Sequence, residues 1–261
     1  MGELNGAWRN LTVQFDDGIC RIRIDRPDTG NAIDARLVDE MDSVLDEYEA
    51  STRIVVIEGL PDKFCVGADF MQLDARLTTG DSLKAPDPAP LYDLWTRLAT
   101  GPYVSIAHVQ GRANAGGVGF AAACDVVVAA QTSSFSLSEL LFGLMPACVL
   151  PFLIRRVGFA RAHYMTLTTQ PIGAAQAREW GLVDVCGADS RDLLRRDLLR
   201  LRHLKKDAIT RYKRYMASLD DSLAMSRAPA VAANLEVFGD ADNLQGISRY
   251  VNAGKLPWEP D

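Results

Sequence analysis

The sequence predicts an α/β fold that turns wholly helical in its last third. Three observations predict it. Short β-branched runs such as Ile54-Val55-Val56-Ile57 alternate with segments of helical periodicity up to about residue 190. A glycine turn at Gly111 opens directly into a small-residue helix ending near Asp125. Beyond residue 190 the strand signals stop and the apolar spacing is helical. The chain therefore divides into a core, residues 1–189, that carries any site, and a helical region, residues 190–261.

In chain order, Leu11–Phe15 and Ile19–Ile24 read as strands around Asp16-Asp17-Gly18, a hairpin turn. Asp34 to Tyr48 reads as an amphipathic helix, because Leu37, Met41, Val44, Leu45 and Tyr48 recur on one face. The buried strand Ile54–Gly59 is followed by a small-residue turn, Phe64-Cys65-Val66-Gly67-Ala68-Asp69. Thr78 to Pro90 reads as a surface loop, its prolines at 86, 88 and 90 arguing against regular structure. A helix over Leu91–Thr100, a strand over Val104–Val109, the glycine turn with its helix, and a strand over Val126–Ala130 come next. Four helices are expected at about 190–203, 206–217, 221–238 and 243–253.

The glycine turn points to chemistry. Glycine lets backbone approach a ligand closely, and a helix start offers unpaired N–H groups with a positive dipole end. The Ala68 turn offers a second backbone N–H. Two donors converging on one point stabilise a developing oxyanion. Downstream, Phe135-Ser136-Leu137-Ser138-Glu139 places one carboxylate in an otherwise apolar stretch. Such surroundings raise a carboxyl pKa and suit it to acid–base work.

Together these blocks resemble the crotonase superfamily of enoyl-CoA hydratases and isomerases. The resemblance rests on Asp25-Arg26-Pro27 through Asn31-Ala32, Phe64–Asp69, Gly111–Asp125, Phe135–Gly143, Gly181-Leu182-Val183 and Phe238–Tyr250, in that order along nearly the whole chain. It implies a ββα spiral core and a C-terminal helical region that assembles trimers, or dimers of trimers, and completes the pocket. It also implies an oxyanion hole from the N–H groups of Ala68 and Gly116, with Glu139 as a catalytic glutamate. The region 78–90 would help cover the acyl pocket. The thioester arm would run past Arg26 to Ala32, beside Asp28 and Gly30. Many CoA-using members carry a basic residue where Asp28 stands, which tilts the reading toward a carrier-bound substrate.

One departure narrows the chemistry. Two-glutamate hydratases place their first glutamate three positions after the oxyanion glycine, and this chain has Gly119 there. The segments Ser138–Phe142, Gly143–Arg156 and Ala162–Leu167 are similar to the dehydratases of polyketide β-branching. Those enzymes remove water from a 3-hydroxy-3-methylglutaryl group on an acyl carrier protein. That resemblance makes Glu139 the base at C2, returning its proton to the leaving hydroxyl. Asp69 has two readings, a catalytic partner for the hydroxyl or a cap on the following helix. Asn114 could orient the hydroxyl by a hydrogen bond. Arg112, Arg155 and Arg156 are the cations that could meet the glutaryl carboxylate. Ordinary enoyl-CoA hydration or isomerisation, and a non-catalytic carrier-binding scaffold, are the competing readings.

With 261 residues, 48% hydrophobic and 24% charged, the composition is that of a globular protein. No apolar run reaches a membrane span, and the N-terminal residues carry no secretory signal. Five cysteines without metal or CxxC spacing read as free thiols of a reducing cytoplasm. His108, His163 and His203 show no metal spacing either. The reaction needs no metal or resident cofactor, since the acyl group arrives on phosphopantetheine or CoA. The formal charge of −6 conceals a basic stretch from Arg191 to Arg214, where ten basic residues face three aspartates. Lys205, Lys206, Arg211, Lys213 and Arg214 are the candidates there for docking an acidic carrier protein, with solvated helix faces as the plainer alternative. Without aromatic stacking motifs, nucleic acid is not an expected partner.

Overall fold

A computed structural model describes residues 8–79 and 86–260. The hairpin forms as expected: β1 (Leu11–Asp16) and β2 (Ile19–Ile24) pair antiparallel around Asp17 and Gly18, both at positive φ. A 3-10 turn at Pro27–Thr29 precedes α1 (Ala35–Tyr48). Asp34 caps that helix, its carboxylate accepting from the Leu37 N–H at 2.8 Å. Next come β3 (Ile54–Glu58), β4 (Lys63–Cys65), α2 (Phe70–Thr79) and α3 (Ala89–Thr100). They are followed by β5 (Val104–Val109), β6 (Arg112–Asn114), α4 (Gly116–Ala123), β7 (Val126–Ala130), β8 (Ser134–Ser136) and a 3-10 helix at Glu139–Phe142. The core ends with α5 (Leu150–Val157), α6 (Phe159–Thr168), β9 (Ile172–Gly173), α7 (Ala174–Trp180) and β10 (Val185–Gly187). Four helices complete the chain: α8 (Ser190–Leu201), α9 (Lys206–Leu219), α10 (Ser222–Phe238) and α11 (Ala241–Ala253).

Two sheets grow side by side. One has the order β1-β2-β3-β5-β7-β10 and the other β4-β6-β8-β9. Successive pairs β3/β4, β5/β6 and β7/β8 each add one parallel strand to both sheets. That stepping is the expected ββα spiral, in which each helix follows two strands. Both faces of the larger sheet are covered, which is why β3 reads as a continuous apolar run. Val55 and Ile57 join the main core, while Ile54 and Val56 meet Leu194 and Leu198 of α8 on the other face. Helix α8 therefore belongs to the packing of the core, and the expected division at residue 190 is no break in it.

The loop expected at 78–90 needs correcting at its end. Helix α3 starts at Ala89 and holds Pro90 in its first turn, where no backbone N–H is needed. At the other end α2 runs on to Thr79, and residues 80–85 of this region, to which a covering role was given, lie outside the described residues.

Candidate active site

Two turns meet at the start of α4. Ile33 and Ala68 form a short parallel bridge in which the Ile33 N–H donates to Gly67 O at 2.7 Å and the Asp69 N–H to Ile33 O at 3.0 Å. The alternation of extended backbone turns the intervening Ala68 N–H to the other side. Gly116 is the first residue of α4, so its N–H has no acceptor within the helix. A Cβ on Gly67 would lie 2.7 Å from Ala115 Cβ and 3.5 Å from Gly116 N. A Cβ on Gly116 would lie 2.6 Å from Ile33 Cδ1 and 3.7 Å from Gly67 Cα. The backbones of the two turns are thus in contact, and both glycines are needed for it. The arrangement brings together Ala68 and Gly116, the two expected oxyanion donors.

Glu139 opens the 3-10 helix beyond β8. The Ala115 N–H donates to Ser136 O at 2.9 Å, joining that segment to the Gly116 turn. Asn114 reinforces the join. Its Nδ2 donates to Ser138 Oγ at 2.9 Å and to Val66 O at 3.3 Å, and its Oδ1 accepts from Ser136 Oγ at 2.7 Å. Asn114 therefore holds Ser138, the residue before Glu139, with both ends of its amide engaged. Glu139 Oε2 is buried and, among the described residues, has no hydrogen-bond partner. Burial raises this carboxyl to about 7, against the weaker pull of the Glu139 and Ser138 backbone N–H groups. A carboxyl with that pKa can both accept and return a proton at neutral pH.

The C-terminal helix packs on the end of the 3-10 helix that Glu139 opens. Phe142 packs edge-on to Phe70 and to Tyr250 of α11, each with ring centres 5.2 Å apart. Asn243 Nδ2 donates to Gly143 O at 3.1 Å, and a Cβ on Gly143 would overlap Asn243 Oδ1.

Other expected residues lie elsewhere. Asp69 takes its capping reading: Oδ1 accepts from the Gln72 N–H at 3.0 Å and Oδ2 pairs with Arg26 at 3.1 Å. Arg26 also pairs with Asp34 at 2.7 Å and donates to Ala32 O, so it ties the 26–34 loop to the Ala68 turn. Asp28 is exposed on that loop, and Gly30 ends the 3-10 turn at φ +64° beside Lys63 and Val66. Arg112 is exposed at the start of β6.

Arg155 is corrected outright: it pairs with Asp220 at 3.0 Å near the opposite end of α4. Arg156 is there too, bonded to Asp125 O, Leu182 O and Asp184. Neither arginine reaches the Gly116 end. Among the docking candidates, Lys205, Arg211 and Arg214 are exposed. Lys213 is buried against Asp125, and Lys206 Nζ donates to Glu49 O at 2.7 Å and Thr52 O at 2.6 Å. His108 is structural, bridging Glu58 and Ser190.

The sequence reading missed Trp95. Its ring lies on Gly119: a Cβ there would overlap Cη2 and lie 2.6 Å from Cζ2. A glycine inside a helix was the available signal.

Comparison with known proteins finds relatives along nearly the whole chain. The family model for enoyl-CoA hydratase/isomerase matches residues 14–261. Bacillaene synthase dehydratase PksH of Bacillus subtilis (strain 168) is 51% identical over 254 residues, which span 97% of this chain and 98% of that protein. Enoyl-CoA hydratase ACTT6 of Alternaria alternata is 32% identical over 98% of this chain and 87% of its own. The crystal structure of pksH from Bacillus subtilis superimposes with a TM-score of 0.94 at 50% identity, over 96% of this chain and 100% of that one.

Proposed function

The chain belongs to the enoyl-CoA hydratase/isomerase family, and we propose that within it this protein is a dehydratase of polyketide biosynthesis. Its substrate on this reading is the 3-hydroxy-3-methylglutaryl thioester of an acyl carrier protein, and its product the 3-methylglutaconyl thioester. The observation that carries the proposal is a single buried, unpaired carboxylate beside the two backbone donors, with the Trp95 ring over Gly119 where a second carboxylate would stand.

In the reaction, the thioester oxygen accepts from the Ala68 and Gly116 N–H groups. Negative charge grows on that oxygen as the C2 proton leaves, and each donor is worth about 3 kcal/mol to the barrier. Glu139 Oε2 takes the C2 proton. The electron pair then forms the C2–C3 double bond, the C3–O bond breaks, and Glu139 gives its proton to the departing hydroxyl. Water leaves from the same face that lost the proton. One residue suffices because its pKa lies near the working pH.

The carrier protein would dock on the exposed Lys205, Arg211 and Arg214, which lie in the most basic stretch of an acidic chain. Exposed Phe159, Tyr164 and Leu167 of α6 offer an apolar face for assembly into a trimer or hexamer. Free cysteines fit a cytoplasmic site of action. Among the described residues, no helix is long and apolar enough to cross a membrane.

Intact-protein mass spectrometry tests the reading. A carrier loaded with the 3-hydroxy-3-methylglutaryl group should lose one water on incubation with the enzyme and keep it with Glu139→Ala. Turnover of crotonyl-CoA without that loss would assign the site to catabolic hydration or isomerisation instead.

A further inference from the structure

Trp95 lies inside the core, edge-on to Phe120 and Phe152 with ring centres 5.6 and 5.7 Å away. Its exposure is 1%, and among the described residues its indole nitrogen has no hydrogen-bond partner. A buried donor left unpaired is costly, and buried tryptophans ordinarily pair this group. An orphan of this kind beside an active-site glycine has a hydrogen bond to offer a bound ligand.

The surroundings identify the partner. Helix α4 sets the ring's position: Cζ2 lies 3.8 Å from where a Cβ on Gly116 would be and 2.6 Å from the same point on Gly119. Cζ2 and Nε1 are bonded to the same ring carbon, so the N–H sits one atom beyond the ring position that faces Gly116. Gly116 is one of the two oxyanion donors. Among the described residues, Trp95 Nε1 is a buried donor and Glu139 Oε2 a buried acceptor without a partner. A thioester oxygen held by Gly116 leaves C2 and C3 as the next atoms of the acyl chain.

We propose that the Trp95 indole N–H donates a hydrogen bond to the C3 hydroxyl of the bound acyl group and holds the leaving oxygen during elimination. This rests on the dehydratase reading above. The indole keeps its proton throughout, being a donor only. Glu139 supplies the proton that leaves with the hydroxyl as water, the C2–H electron pair becomes the double bond, and the glutamate ends as it began. Charge on the oxygen grows as C3–O lengthens, so the hydrogen bond is stronger in the transition state than in the ground state.

The test replaces Trp95 with 3-benzothienylalanine, which keeps the bicyclic ring and puts sulfur where the N–H was. Trp95→Phe serves as a second variant. Water loss from the loaded carrier is followed by intact mass, and exchange of the C2 proton by deuterium uptake in heavy water. Elimination should fall about 10- to 100-fold in both variants, while C2 exchange stays within about threefold, because that step needs Glu139 and the oxyanion donors alone. Unchanged elimination in the isosteric variant overturns the proposal. Equal loss of exchange and elimination overturns it too, since Trp95 would then act through packing. A wild-type enzyme that exchanges C2 but never releases water refutes the dehydratase reading itself, and the hydroxyl contact falls with it.

Discussion

The two ends of helix α4 differ in how their polar groups are satisfied. At the far end, Asp125 accepts from the Ser105 N–H at 2.9 Å and from Lys213, and its carbonyl accepts from Arg156 at 3.1 Å. Arg155 pairs with Asp220 beside it, and Arg156 with Asp184 at 2.7 Å. Arg156 Nε alone of these groups lacks a partner. At the near end, the Gly116 N–H has no acceptor within the helix, and among the described residues Glu139 Oε2 and Trp95 Nε1 are buried without a partner. A cavity of about 240 Å³ opens at the far end, lined in part by Asp125, Arg155, Lys213 and Asp220. Those four charges already neutralise one another in pairs. Unsatisfied polarity, more than open volume or charge, distinguishes the end that can do chemistry.

The comparison sharpens most at Glu139. Glu139→Gln keeps the shape and removes the base, so single-turnover dehydration should fall about 1,000-fold, within the range of general acid–base contributions, with melting temperature held or raised. The wild-type rate should climb with pH and level off above about 7, as the carboxyl ionises.

Stability should show the same group with the opposite sign. Burial raises Glu139 from 4.5 to about 7, so the folded chain holds its proton more tightly than the unfolded chain. The stability this gives is full below the unfolded value and is lost as pH rises through about 7. The loss is on the order of 3 kcal/mol, and urea titrations at pH 5 and pH 8 should show it in the wild type and not in Glu139→Gln.

At the far end the effects should fall on folding alone. Lys213→Met leaves Asp125 without its ammonium partner and should cost about 3 kcal/mol in urea denaturation, while the turnover of folded enzyme stays unchanged. Arg155→Ala removes a half-exposed pair and should cost under about 1 kcal/mol, again without loss of turnover. A large loss of turnover in either variant would break the contrast between the ends.

What could be read in the sequence follows the same division. Ala68, Gly116 and Glu139 stand in short local motifs, where a turn or helix start already implies its chemistry. For Trp95 the sequence offered only a glycine inside a helix, because it is the packing of α3 on α4 that lays the ring over Gly119. Arg155 looked like a substrate cation because its sequence neighbours belong to the motif, yet the turn of α5 points it to Asp220. The docking set could have been sorted further. Lys206, Ile209 and Lys213 follow the i, i+3, i+7 spacing of one helix face, and the buried Ile209 marks that face as the inner one. A basic count alone treats inner and outer lysines alike.

The bond from Asn243 to the carbonyl of Gly143 ties the catalytic loop to a segment translated one hundred residues later. While a ribosome is still making this chain, the spiral can be complete and the oxyanion turns formed, yet the glutamate loop still lacks its clamp. Docking of α11 therefore completes the support of the glutamate loop, and a single proteolytic cut ahead of that helix would leave the loop held from the Gly116 turn alone, without Asn243.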